Sequence, residues 1–163
     1  MDTCSFCGFE YDLDEAPAAG GAIVEGAHAL GGLLRHTAVR SRPTPETWSP
    51  LEYACHVRDV LLVQRERVLA ARREDRPSFA PMGRDERVGH DGYAQQDPED
   101  VARQLGDAAH LFANVVARLE PTDWDRTIVY NYPHTTERPL RWVAVHTLHE
   151  VRHHLLDVRH QIA

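Results

Sequence analysis

With 163 residues and 42% hydrophobic content, the chain can bury one sizeable core but not two, so a single domain over 1–163 is expected. Its formal charge of −7, with arginine and acid interleaved, excludes the concentrated positive surface that a nucleic-acid grip requires. No apolar run approaches the about 18 residues of a membrane span, and no basic-then-apolar leader opens the chain, so a cytoplasmic protein without a membrane partner is expected.

The first 16 residues contain Cys4-Ser-Phe-Cys7-Gly, the CxxC knuckle spacing of zinc and redox sites, followed by Phe9 and Tyr11. With Cys55 the chain has three cysteines, too few for a disulfide framework, and Cys55 in an apolar stretch reads as a packing residue. A first helix is predicted from Pro17 to Val39 on Ile23, Val24, Ala27, Leu30, Leu33 and Leu34, weakened by its glycines, with a proline-broken turn at Ser41–Pro45. The second opens with Ser49 as cap and Pro50 at its first position, and runs through Leu51, Cys55, Leu61 and Val68 to the exit Arg72-Arg73-Glu74-Asp75.

From Arg76 to Gln96 the composition turns to proline, glycine, arginine and aspartate, a connection long enough to serve as a lid or part of a binding site. Asp97-Pro98 repeats the cap-then-proline signal and opens a third helix through Val101, Leu105, Phe112 and Val116, ended by Pro121. The stretch Trp124–Pro139 reads as irregular, and Pro139 opens a fourth helix that runs close to the C-terminus. Four amphipathic helices and no sustained strand alternation predict an all-α four-helix bundle.

That fourth helix carries His146, His149, Glu150, His153, His154 and Asp157. Residues four apart share a helix face, so His149/His153 and Glu150/His154 are both pairs able to close on one metal ion, with His56 on the second helix as a third ligand. Ala144, Leu148, Val151, Leu155 and Val158 form the core stripe. His154 lies roughly 90° from the stripe's centre and His153 roughly 170°, which favours Glu150 and His154 as the inward pair. The rival is the literal string His149-Glu150-Val-Arg-His153, an HExxH match that would make a zinc hydrolase with Glu150 as base. His28, His36, His90, His110 and His160 read as surface or packed residues, and Trp48, Trp124 and Trp142 as core or boundary.

Trp48, His56 and Asp59, together with His146, Glu150, His154 and Asp157 at the spacing H-x3-[HE]-x3-H-x2-[QD], resemble the DinB-like metalloenzymes. That group includes the mycothiol-dependent maleylpyruvate isomerase N-terminal domain and the bacillithiol S-transferases. The resemblance implies a four-helix bundle, often dimeric, with a divalent metal on His56, Glu150 and His154. Zinc ranks first, with nickel, iron or manganese as alternatives. It further implies a small-molecule substrate and a low-molecular-weight thiol cosubstrate held as thiolate, in a thiol-dependent S-transferase or isomerase. Asp59, Asp157 and His146 are then expected around the ligands, and Arg84, Tyr93, Tyr130 and Tyr132 around the substrate. Outside that pattern, Cys4 and Cys7 are candidates for a second zinc site with His149 and His153, a closed Cys2His2 set. The competing class is a non-catalytic zinc module with every coordination position closed.

Overall fold

The computed structural model describes residues 3–163. Among them are five α-helices and a three-stranded sheet: α1 Ala19–Leu33, α2 Pro50–Arg73, β1 Ser78–Phe79, α3 Arg84–His90, α4 Pro98–Val116, β2 Thr127–Asn131, β3 Thr135–Pro139 and α5 Leu140–Gln161. The four long helices form the bundle. The all-α expectation is corrected by the sheet, in which β2 pairs in parallel with β1 and antiparallel with β3. Its physical basis is Thr127-Ile-Val-Tyr130, a run of β-branched and aromatic residues whose Ile128 is fully buried. No helix among the described residues is long and apolar enough to cross a membrane.

Around the bundle, α1 and α2 each pack against both α4 and α5, so the sequence neighbours α1 and α2 lie across the diagonal. Long connections make this order possible, and the one between α2 and α4 carries β1, α3 and a short 3-10 turn at Tyr93–Gln95. The core includes Ile23, Leu30, Leu51, Leu61, Leu105, Phe112, Val143 and Val151.

The first helix is shorter than its periodicity predicts. A 3-10 turn over Leu13–Ala18, capped by Asp12, precedes α1, and turns replace the helix after Leu33. There the Val39 carbonyl accepts from the Leu51 amide at 3.0 Å, which ties the chain back to the start of α2. The glycines of α1 permit close approach: a Cβ at Gly26 would stand 2.6 Å from Val151 Cγ1 on α5, and one at Gly20 would stand 3.4 Å from the Ala113 backbone on α4.

Candidate metal centre

The position of His56 begins with the cap of α2. The Ser49 hydroxyl accepts from the Glu52 amide, and the Glu52 carboxylate accepts from the Ser49 amide at 2.8 Å, closing a reciprocal capping box. Arg42 adds a donor to the same carboxylate at 2.8 Å. Burial works against the Glu52 charge, but Arg42 and Ser49 outweigh it and lower the pKa. One turn further on, His56 is 3% exposed and faces α5.

There it meets Glu150 and His154. Glu150 Oε2 lies 3.6 Å from His56 Nε2 and 3.7 Å from His154 Nε2, and the two imidazoles stand edge to face with centroids 5.1 Å apart. Tetrahedral zinc with nitrogen and carboxylate ligands holds neighbouring donor atoms about 3.3–3.5 Å apart, close to the two glutamate–histidine separations, and all three donor atoms lie within 4.8 Å of one another. On the far side of the ring, His154 Nδ1 meets Asp157 Oδ2 at 2.9 Å, a carboxylate that orients the imidazole. Burial opposes charge on Glu150, but His149, His154 and His56 hold its pKa well below the usual carboxylate range. The same burial lowers the pKa of His56; at His154 it is outweighed by Asp157 and Glu150, which raise it.

His56 and Glu150 form part of the wall of a cavity of about 580 Å³. Of the residues expected around a substrate, Arg84, Tyr130 and Tyr132 line it. Arg67 and Arg138 also line it, and the periodicity of the sequence did not single them out because each sits on a mainly structural element. All three arginines are braced on aromatic rings: Arg67 4.6 Å from the Tyr130 centroid, Arg84 5.1 Å from Trp48 and Arg138 4.7 Å from Trp142.

Two expected positions are corrected. Tyr93 is fully buried and donates to Asp59 Oδ2 at 2.6 Å, away from the cavity lining. Asp59 in turn does not orient His56; it accepts from Arg58 at 2.9 Å and from Arg87 at 3.2 Å. A buried carboxylate takes the strongest donors within reach, and here these are two guanidiniums and a phenol. The effect is to anchor the α2–α4 connection, whose residues Met82–Glu86 line the cavity. His56 Nδ1 consequently has no hydrogen-bond partner among the described residues.

The second face of α5 is covered by the N-terminal segment. Phe9 lies 5.2 Å from His149 between centroids, Phe6 6.5 Å from His153, and Tyr11 stacks at 6.3 Å on Trp142. Cys4, Cys7, His149 and His153 each offer a donor atom within 4.8 Å of all the others, and Cys4 Sγ is 3.9 Å from His153 Nδ1. Burial pushes the Cys4 thiol up, but the Cys7 and Phe6 backbone and the neighbouring His149 lower it to about 6. The HExxH string is divided between the clusters: its histidines stand with the cysteines and Glu150 Oε2 with His56 and His154, while Glu150 Oε1 keeps a contact of 3.5 Å to His149 Nδ1. Between the clusters, the Tyr11 hydroxyl bonds His146 Nδ1 and His149 Nδ1, both at 2.9 Å. Burial lowers the His146 pKa to about 4, which keeps that imidazole neutral.

The bundle brings two histidines and a glutamate together, with His56 and Glu150 on the wall of a cavity, a donor set able to hold a metal ion. The sequence matches the DinB superfamily over residues 22–158, and the chain belongs to that family. Among solved structures it is similar to YfiT from Bacillus subtilis, described as a probable metal-dependent hydrolase with an unusual four-helix bundle topology. That likeness has a TM-score of 0.80 at 12% identity and covers 90% of this chain and 85% of the other, so it concerns the fold. No curated protein matches the sequence.

Proposed function

We propose that this protein is a divalent-metal-dependent enzyme, a thiol-dependent S-transferase or isomerase, with His56, Glu150 and His154 as ligands. The observation that carries the reading is the convergence of these three donors with two of them, His56 and Glu150, on the wall of a 580 Å³ cavity, which leaves a side of the site facing a space large enough for a small substrate. When bound, a divalent ion with a coordination position left open would keep a thiol deprotonated at neutral pH. The residues around it supply the rest. Arg67, Arg84 and Arg138 present fixed positive charge to an anionic cosubstrate or electrophile, and Tyr130 brings a hydroxyl to the wall. In a transfer the thiol releases its proton to solvent, its sulfur bonds to the electrophilic carbon, and the leaving group departs with the bonding pair; in an isomerisation the sulfur adds and is then itself expelled with that pair, regenerating the thiol. Zinc suits the histidine and carboxylate donors, as do nickel, iron and manganese.

A second reading is hydrolysis, with water in place of the thiol, and it is favoured by the fold shared with YfiT. Both are tested by incubating metal-loaded protein with mycothiol, bacillithiol or glutathione and chlorodinitrobenzene as a probe electrophile. Thioether formation lost in His154→Ala supports the thiol reading. Hydrolysis of a chromogenic ester or amide, independent of added thiol, would support the second reading. Metal bound with neither activity would place the protein among non-catalytic zinc modules.

A further inference from the structure

We propose that Cys4, Cys7, His149 and His153 form a second, closed zinc site that fastens the N-terminal segment to α5 and thereby sets Tyr11 in the wall of the substrate cavity. The inference stands independently of the reaction assigned to His56, Glu150 and His154. It rests first on geometry. The four donors lie within 4.8 Å of one another, and Cys4 Sγ to His153 Nδ1 at 3.9 Å compares with about 3.6 Å for sulfur and nitrogen on one tetrahedral zinc. The chain around the cysteines has the form of a metal knuckle: the Gly8 amide donates to the Cys4 carbonyl at 2.8 Å, the Cys4 amide to the Phe9 carbonyl at 2.9 Å, and Gly8 takes the left-handed φ of +72° that closes the turn.

The histidines are arranged as ligands on the same terms. The His149 side chain is nine-tenths buried, its Nδ1 is engaged by Tyr11, and its Nε2 has no hydrogen-bond partner among the described residues. A ring nitrogen orphaned beside two thiols is explained by a metal ion and otherwise carries an uncompensated cost of burial. His153 turns Nδ1 to Cys4 and Nε2 to Asp157 Oδ2 at 3.5 Å, the oxygen that also meets His154 Nδ1 at 2.9 Å. One carboxylate therefore orients a histidine of each cluster. With Nε2 of His149 as ligand, its Nδ1–H donates to the Tyr11 oxygen, and the Tyr11 hydroxyl donates to His146 Nδ1. Four protein donors complete the shell, so this second ion is structural where the first is open. The DinB match begins at residue 22, after the knuckle.

The test uses the full chain, purified reduced, and three measurements. Metal analysis is expected to show one equivalent lost in the Cys4→Ser, Cys7→Ser double variant, and His154→Ala to retain the cysteine-bound equivalent. Cobalt(II)-loaded protein should show a thiolate-to-cobalt absorption band in wild type and His154→Ala, absent from the double variant. In wild type, iodoacetamide should modify Cys4 and Cys7 only after chelation, a result that does not depend on any variant folding. The proposal is overturned if the double variant keeps all its metal, if alkylation is equally fast with and without metal, or if the reduced pair binds no metal and oxidises to a disulfide. A wild-type protein whose metal is all retained in His154→Ala and lost in the cysteine double variant would count against the open site and leave this one standing.

Discussion

Along α5, adjacent histidines look in different directions. His154 turns its Nε2 to Glu150 beside a cavity, with α2 supplying His56 across the gap, whereas His153 turns to Cys4 under a segment that covers the helix from outside. Both clusters use the same helix and share Asp157, yet one borders the cavity and the other lies under the N-terminal segment. The difference comes from what packs opposite: a helix held about one side-chain length away leaves room for a ligand, while a short knuckle folds directly onto the imidazoles.

The comparison breaks most sharply at the two histidines. His154→Ala should remove the metal of the open site and all metal-dependent turnover, and His153→Ala should leave that metal in place, as read by mass spectrometry of metal content. If His153→Ala empties the open site instead, the two clusters are a single unit. Asp157→Asn is expected to weaken metal binding about 10–100-fold, because the carboxamide orients an imidazole less well than the carboxylate does. Since one oxygen serves His153 and His154, titration with a competing chelator should show weakening at both sites.

Much of the open site is legible in the amino-acid sequence. Ser49-Pro50 and Asp97-Pro98 mark helix starts by local chemistry, and the four-residue spacing of Glu150 and His154 is a property of the helix itself. What escapes local reading depends on contacts distant in sequence. The angular position of His153 predicts exposure, but its side chain is 21% exposed because Phe6 and Cys4 lie over it. Asp59 has suitable spacing to serve His56 and is instead claimed by Arg87 and Tyr93 from the loop. The hairpin over Thr127–Pro139 is hidden by its shortness and by prolines at its turn and end, although Thr127-Ile-Val-Tyr130 carries the residue types of a strand.

A smaller effect separates the clusters by their supports, since only the open site needs α2. Glu52→Gln removes the charge that Arg42 and Ser49 bind at the start of that helix, and should destabilise the fold by about 1–3 kcal/mol at pH 7. The Glu52 pKa is lowered in the folded protein, so its contribution is complete above the unfolded value of about 4.3 and fades as pH falls through the folded value. Urea melts of wild type and Glu52→Gln should therefore converge towards acid pH. A stability difference that stays constant from pH 7 to about pH 3 would show that the carboxylate charge is not what the cap uses.

The smallest expected effect tests whether α5 holds both clusters in one register. Gly26→Ala places a methyl 2.6 Å from Val151 Cγ1, and Val151 follows Glu150 directly in the chain. The alanine gains about 1 kcal/mol of helix propensity, while overpacking costs about 1–3 kcal/mol, so the net change is a destabilisation of about 0–2 kcal/mol. Gly21→Ala, where a Cβ meets nothing within 4 Å, keeps only the gain and should raise stability by about 1 kcal/mol. Thermal melts of the pair isolate the packing cost. If Gly26→Ala also shifts metal affinity at the open site while the thiolate-to-cobalt band is unmoved, the knuckle travels with α5 as a clamp, and the distance from α5 to α2 is what the open site senses.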